Sequence, residues 1–241
     1  MFDAQVRRAL DPLLDRAARV LEVAGVSPNA VTGIGFVVGI AACAAAAASH
    51  WGAAVVLWLA NRLLDGIDGP LARRRGATEL GGYLDIVADF TIYGGFVVAV
   101  GIAVPEARVA CLVLLATYYV SGTAFLALSS LLERRGHRLA DLRVARDGRS
   151  LRFVGGLAEG TETVVVYVFI GLIPDQAAFI AWVFAAAVAI TAGQRVFLGV
   201  RLLRSPRVPE ATAQHRPGRQ EISWPSAAPA SLPHSRSRLS G

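Results

Sequence analysis

Four aspartates within one stretch of 25 residues have the types and spacing for chemistry: Asp65, Asp68, Asp85 and Asp89. The first two are spaced i, i+3 and the last two i, i+4, so each pair shares one face of a helix. Converging carboxylates repel one another, and cations relieve that repulsion. Oxygen ligands suit Mg²⁺ or Mn²⁺, and four carboxylates suit two such ions. Two neighbouring ions are the usual clamp for displacement at phosphorus, so the spacing predicts a two-ion site for phosphoryl chemistry.

A helical hairpin is needed to bring the two pairs together. The sequence Gly76-Ala77-Thr78 predicts the turn, with Thr78 as the N-cap of the second helix. Asp68 and Asp85 lie 8 and 7 residues from this turn, and Asp65 and Asp89 each lie 11 residues from it. In an antiparallel pair the four carboxylates therefore lie at two matched heights.

Small and basic residues accompany the aspartates. Ala72 and Gly81 lie near the turn, and their size predicts a close approach of the two helices. Gly69 leaves room for a ligand against the helix backbone, and Arg73 adds a cation suited to phosphate. A structural interpretation, in which the acids are solvated helix ends, leaves these placements unexplained.

The composition predicts that these helices lie in a membrane. Apolar residues make up 54% of the 241 residues and charged residues only 17%, against about 25% in soluble proteins. The stretch from Val23 to Asn61 contains 39 residues without a formal charge, nearly enough for two crossings of a bilayer about 30 Å thick. We expect an all-α membrane protein with six transmembrane helices, at roughly 30–50, 53–75, 79–104, 108–132, 157–174 and 176–203.

The ends of the chain predict three parts: a cytoplasmic arm over 1–26, a catalytic membrane domain over 27–204 and a disordered cytoplasmic tail over 205–241. Within the arm, Asp11 is the predicted cap and Pro12 the first residue of an amphipathic helix at the membrane interface. Arginine supplies all 24 basic residues, for a net charge of +6. Most arginines fall in loops of one side, which predicts cytoplasmic termini and favours lipid and phosphate over nucleic acid.

The aspartates and their neighbours resemble the signature of the CDP-alcohol phosphotransferase (CDP-alcohol phosphatidyltransferase) family. The matching motif is Asp65-x-x-Asp68-Gly69-x-x-Ala72-Arg73, followed by Gly81-x-x-x-Asp85-x-x-x-Asp89. It fixes eight positions, and a softer similarity, including Ser27-Pro28-Asn29-x-x-Thr32, extends over about residues 10–203. The gap between Arg73 and Gly81 is shorter than is usual in the family.

The resemblance implies a role for each matched residue. Asp65, Asp68 and Asp85 would ligate two divalent ions, and Asp89 would complete the set and act as general base. Gly69, Ala72, Arg73 and Gly81 would line the CDP site. An acceptor hydroxyl would then attack the β-phosphorus of a CDP-alcohol and release CMP. The family also implies a homodimer, and its prevalent donor is CDP-diacylglycerol. The arginine distribution, with the acids near the cytoplasmic helix ends, predicts a multi-pass protein of the cell inner (plasma) membrane with its active site facing the cytoplasm.

Other interpretations stay open at this stage. A divalent-cation transporter also uses intramembrane acids, although the acids here lie near the cytoplasmic helix ends and not at the midplane. Within the enzyme class, a soluble CDP-amino-alcohol donor with a lipid acceptor is the alternative. Glu159 and Glu162 fit a polar network better than a contact with the acceptor. Arg152 and Arg195 fit an acceptor phosphate or positive-inside charge equally well.

Overall fold

The computed structural model describes residues 3–134 and 160–204 of the chain. Seven α-helices follow one another in these two ranges: α1 Asp3–Val23, α2 Pro28–Ala47, α3 Trp51–Arg75, α4 Glu79–Ala103, α5 Arg108–Arg134, α6 Gly160–Leu172 and α7 Ala177–Arg204. Short 3₁₀ turns at Pro105–Ala107 and Pro174–Gln176 precede α5 and α7. The all-α prediction is confirmed for the described ranges. Residues 135–159 and the predicted tail at 205–241 lie outside them.

Four segments are long and apolar enough to cross a membrane: Pro28–Ala47, Glu79–Ala103, Pro105–Leu131 and Pro174–Arg204. The remaining two predicted spans coincide with α3 and α6, but α3 carries several charged residues and α6 has only 13 residues. A single crossing needs about 20 apolar residues. Helices therefore occupy all six predicted positions, whereas six complete crossings stay a prediction.

The N-terminal helix α1 differs from its prediction. Pro12 lies inside a helix that already begins at Asp3, so the expected start at Asp11 and Pro12 was wrong. The apolar side of α1 packs on α3 through a small core formed by Ala18, Val31, Ile67 and Leu71. The arm is thus fixed to the helix that carries Asp65 and Asp68, while its position at a membrane interface stays a prediction.

The predicted hairpin of α3 and α4 forms with its turn at residues 76–78. Thr78 caps α4 by accepting a hydrogen bond of 3.0 Å from the backbone of Gly81. The predicted close approach of the two helices was wrong, because each of them packs mainly on α2. The glycines Gly35 and Gly39 allow this packing, and both are buried against Asn61 of α3. The acidic faces of α3 and α4 therefore border a groove with α2 as its floor.

The half of the bundle away from this turn is closed by aromatic packing. Trp58, Phe96 and Tyr167 are fully buried, and the rings of Phe96 and Tyr167 stack with their centroids 4.8 Å apart. The hydroxyl of Tyr167 donates a 2.9 Å hydrogen bond to the carbonyl of Tyr93. This core joins α3, α4 and α6 and holds the groove in place from one side.

Candidate metal and substrate site

The groove between α3 and α4 contains all four predicted aspartates. Asp65 and Asp68 point into it from α3, Asp85 and Asp89 from α4, and Thr32 from the floor of α2. The hydroxyl of Thr32 donates a 2.9 Å hydrogen bond to Oδ2 of Asp68. This bond ties the most buried of the four carboxylates to α2.

Three of the carboxylates form a compact cluster. Asp65, Asp68 and Asp85 each offer one oxygen, and these oxygens lie within 4.8 Å of one another. Hard oxygen donors at this spacing fit Mg²⁺ or Mn²⁺. Because like charges this close repel, the cluster is also a place where a bound cation lowers the electrostatic energy. The residues present therefore fit a divalent ion.

Asp89 lies in the same groove but forms an ion pair. Its Oδ1 is 3.0 Å from Nη1 of Arg62, which also lies 3.6 Å from Oδ2 of Asp65. The structure thus separates the four predicted ligands into a cluster of three and a fourth that shares an arginine with Asp65.

Sequence reasoning missed Arg62 as a member of the site. The signal was present, because this arginine interrupts an apolar run three residues before Asp65, and charge inside a membrane helix marks function by default. Its side chain is only 10% exposed and lies over the rings of Trp58 and Tyr93. Asn61 accepts two further hydrogen bonds from the guanidinium, at 2.9 and 2.6 Å.

The two glycines predicted for the CDP site differ in their surroundings. A methyl group on Gly69 would make only an ordinary contact, 3.6 Å from Nη1 of Arg73. A methyl group on Gly81 would lie 2.9 Å from Oδ1 of Asn29 and 3.0 Å from Oγ1 of Thr78. The packing of Asn29 and Thr78 therefore explains the glycine at position 81, whereas the backbone at Gly69 has room for a ligand. Ala72, one turn further along α3, is half-buried.

Three consecutive arginines end α3, and they have different environments. Arg74 forms a bidentate pair with Asp15 of α1, with its shortest distance at 2.8 Å. Arg75 donates to the backbone carbonyls of Glu22 and Gly25. Arg73 is exposed and makes no hydrogen bond or ion pair with the described residues. Of the three, Arg73 is the one whose charge is available to a phosphate.

The secondary signals have less direct connections to the groove. Arg195 donates a 2.8 Å hydrogen bond to Oγ of Ser121 and lies over the ring of Phe125, so it ties α7 to α5. Glu162 lies in the first turn of α6 and is partly buried. Glu159 and Arg152 lie outside the described residues.

Comparison with known proteins identifies the family. The sequence model of the CDP-alcohol phosphatidyltransferases matches residues 25–193, which include every aspartate of the groove. The chain belongs to the CDP-alcohol phosphatidyltransferase family. Its members are membrane transferases of phospholipid biosynthesis, in agreement with the resemblance carried by the eight-position motif.

Individual relatives agree with this family. The inner membrane protein YnjF of Escherichia coli (strain K12) is 38% identical over 209 residues, which cover 85% of this chain and 98% of the relative. The fold is similar to phosphatidylinositol phosphate synthase (PgsA1) of Mycobacterium tuberculosis with CDP-DAG bound, at 24% identity and a TM-score of 0.61. That match covers 78% of this chain and 94% of PgsA1. The same synthase in complex with manganese and citrate also gives 0.61 at 24% identity, covering 78% and 88% of the two chains.

Proposed function

We propose that this protein transfers a substituted phosphate group from a CDP-alcohol, with CDP-diacylglycerol as the favoured donor, to an acceptor hydroxyl and releases CMP. The observation that carries the proposal is the cluster of three carboxylates within 4.8 Å. Arg73, which has no partner among the described residues, lies near Gly69 on the same helix. Family membership supports the reaction type. The related fold of PgsA1 has been determined with CDP-DAG bound, which supports the donor.

Asp65, Asp68 and Asp85 would hold divalent ions, Mg²⁺ or Mn²⁺, and Asp89 would complete a set for two. The manganese complex of PgsA1 supports the choice of metal. When bound, the ions would supply positive charge to the diphosphate of the donor and to the CMP that leaves. All four acids belong to α3 and α4, so the hairpin itself positions the donor's diphosphate.

The remaining residues of the motif would bind the donor and move one proton. Gly69 offers the open backbone against which CDP packs, with Ala72 and Gly81 beside it. Arg73 would pair with a phosphate. Asp89 would accept the proton of the acceptor hydroxyl as that oxygen attacks the β-phosphorus. Its ion pair with Arg62, at 3.0 Å, fixes the position of this carboxylate in the groove.

The proposed setting is the inner membrane, with the active site facing the cytoplasm and the chain working as a homodimer. The apolar helices and the name of the relative YnjF support the membrane. The arginines at the end of α3 support a cytoplasmic site, because basic residues concentrate on that side.

The test is release of CMP by the purified protein in liposomes. CDP-diacylglycerol is offered with a panel of acceptors, including glycerol 3-phosphate, inositol phosphate and serine, and a soluble CDP-amino-alcohol is offered separately with a lipid acceptor. We expect CMP only from the first donor. Mn²⁺ uptake into the liposomes without CMP from any donor would contradict the proposal and indicate a transporter.

Matched variants locate the reaction. Asp85→Asn removes one carboxylate of the cluster, and Asp175→Asn makes the same change at an exposed position in the turn before α7. The first variant should lose CMP release, and the second should retain it. Equal activity of the two variants would show that the groove is not the active site.

A further inference from the structure

Arg62 lies where the cluster of three carboxylates meets Asp89. Its Nη1 atom is 3.0 Å from Asp89 and 3.6 Å from Asp65, so one guanidinium neutralises the end of the groove that belongs to Asp89. Only 10% of the Arg62 side chain is exposed. The side chain of Arg62 therefore places a permanent positive charge among the proposed metal ligands.

The position of this guanidinium is fixed from several sides. Its carbon lies 4.9 Å from the ring centroid of Trp58 and 4.6 Å from that of Tyr93, both in cation–π range. Asn61 accepts hydrogen bonds from Nε and Nη2, while its own amide donates a 2.8 Å bond to the carbonyl of Gly35. Because α2, α3 and α4 all contribute to holding Arg62, its approach to Asp89 is part of the fold.

A guanidinium and a divalent cation compete most strongly at a carboxylate that the guanidinium contacts directly, and Arg62 lies closer to Asp89, at 3.0 Å, than to Asp65, at 3.6 Å. The charges repel strongly in a partly buried groove, and Nη1 already occupies the hydrogen-bonding side of Oδ1 of Asp89. Asp65, Asp68 and Asp85 keep three mutually close oxygens for one ion. The four acids and Arg62 together have a formal charge of −3. One bound divalent ion changes this to −1, and a second ion in the absence of substrate would change it to +1.

We infer that Arg62 is a positioning residue that keeps Asp89 from a second metal ion, so that the free protein binds one divalent ion and takes up the second only together with a CDP-bearing ligand. The diphosphate of such a ligand adds the negative charge that a second ion and Arg62 need side by side. The inference rests on the proposed function, since it requires the cluster of three to bind metal. In this inference, Arg62 determines that the second ion binds only together with the CDP-bearing ligand.

The experiment counts bound Mn²⁺ on the purified full-length protein by equilibrium dialysis and metal analysis, without substrate and with saturating CDP. The wild-type protein should bind one ion alone and two with CDP. Arg62→Gln should bind two ions without CDP, and Arg62→Lys, which keeps the charge, should bind one. The double variant Arg62→Gln/Asp89→Asn should return to one, because the second site needs the carboxylate of Asp89.

Each contrary result identifies what fails. Two ions on the free wild-type protein, one ion with CDP, or a single ion on Arg62→Gln would overturn the inference while the metal cluster stands. An absence of bound Mn²⁺ on every form would overturn the proposed function itself. If Arg62→Gln does not fold, as judged by gel filtration, the wild-type counts still test whether the second ion binds only in the presence of CDP.

Discussion

The two halves of α3 and α4 carry different tasks on the same pair of helices. Away from the turn at 76–78, Trp58 and Phe96 are fully buried and form an aromatic core with Tyr167 of α6. Toward that turn, the same helices present carboxylates to a groove, and α4 leaves Tyr83 64% exposed. Arg62 lies at the boundary, with its stem over the aromatic core and its charge among the aspartates.

This difference shows how the fold accommodates acids that repel one another. The aromatic half provides the packing that fixes the helices, so the polar half does not have to contribute stability and remains open for ligands. Substitutions in the polar half should therefore change activity with little loss of folded protein. Substitutions in the aromatic half should lower stability and leave the activity of each folded molecule unchanged.

Removal of divalent metal should have the largest effect and should act on the polar half alone. We expect CMP release in excess EDTA to fall by at least about a thousandfold, since a metal ion contributes several kcal/mol to stabilising charge at phosphorus. Added Mn²⁺ should restore it. Circular dichroism should show unchanged helix content, because the aromatic core contains no metal ligand. Full turnover in EDTA would contradict a metal mechanism.

Asp89→Asn should separate chemistry from binding within the polar half. Asn has nearly the shape of Asp but cannot accept the proton, so we expect turnover to fall by about 10² or more. Binding of the CDP donor should weaken far less, because the cluster of Asp65, Asp68 and Asp85 remains. Rate and donor affinity are measured on the same liposome preparation.

Asp65→Asn is the matched control for that variant. As a member of the cluster of three, Asp65 should affect donor binding and turnover together when it is replaced. Near-normal turnover of Asp89→Asn would show that Asp89 is not the general base. Glu162, partly buried at the start of α6, would then be the next candidate.

The sequence predicted the parts of this site that depend on local pattern. Helical spacing placed Asp65 with Asp68 and Asp85 with Asp89, and the N-cap preference of threonine located the turn at Thr78. Both rest on the geometry of one helix or one turn. The apolar runs likewise indicated where the helices lie, because their length depends only on consecutive residues.

The features that the sequence missed depend on contacts between distant segments. The insertion of α2 as the groove floor follows from the fit of Gly35 and Gly39 against Asn61, which lies 26 residues beyond Gly35 in the chain. No local pattern encodes that fit. Arg62 did carry a local signal, as a charge that interrupts an apolar run, but its pairing with Asp89 on another helix is not encoded in that signal. The predicted start of α1 was wrong because a proline within a helix has the same sequence pattern as a proline in the first turn of a helix.

Replacement of Gly69 by alanine tests whether the donor occupies the space beside this residue in the polar half. A methyl group on Gly69 meets only Arg73 at an ordinary distance, so Gly69→Ala should fold normally. We expect the KM for the donor to rise about tenfold, equivalent to about 1.4 kcal/mol of lost binding. Kinetics against CDP-diacylglycerol concentration measure this change. An unchanged KM would show that the donor does not pack on Gly69.

Two further glycines serve as controls for that prediction. A methyl group on Gly81 would collide with Asn29, so Gly81→Ala should lower the melting temperature. Gly82 has no atom within 4 Å of the added methyl group, and Gly82→Ala should alter neither stability nor KM.

Tyr167→Phe tests the expectation for the aromatic half, which is a loss of stability without a loss of turnover. The variant removes the hydroxyl that donates to the carbonyl of Tyr93 and lies 3.2 Å from the hydroxyl of Tyr118. We expect a loss of about 1 kcal/mol in stability, the usual net value of one such bond. Thermal unfolding in detergent measures it. Turnover per folded molecule should stay unchanged, and a fall in turnover at constant stability would show that the two halves are not separate.

The smallest effect should come from the ion pair between Asp15 and Arg74, which joins α1 to the polar half. The Arg74 guanidinium holds the pKa of the Asp15 carboxyl below its usual range. A lowered folded-state pKa stabilises the attachment of α1 above the ordinary aspartate value of about 3.9, and that stabilisation is lost as the pH falls through the folded-state value. Because both side chains are partly exposed to water, the contribution is small and salt weakens it. A spin-label distance between α1 and α4 should therefore broaden slightly from pH 6 to pH 3, and Asp15→Asn should show the broader distribution at both values. A distance that broadens equally in Asp15→Asn would assign the pH dependence to another group.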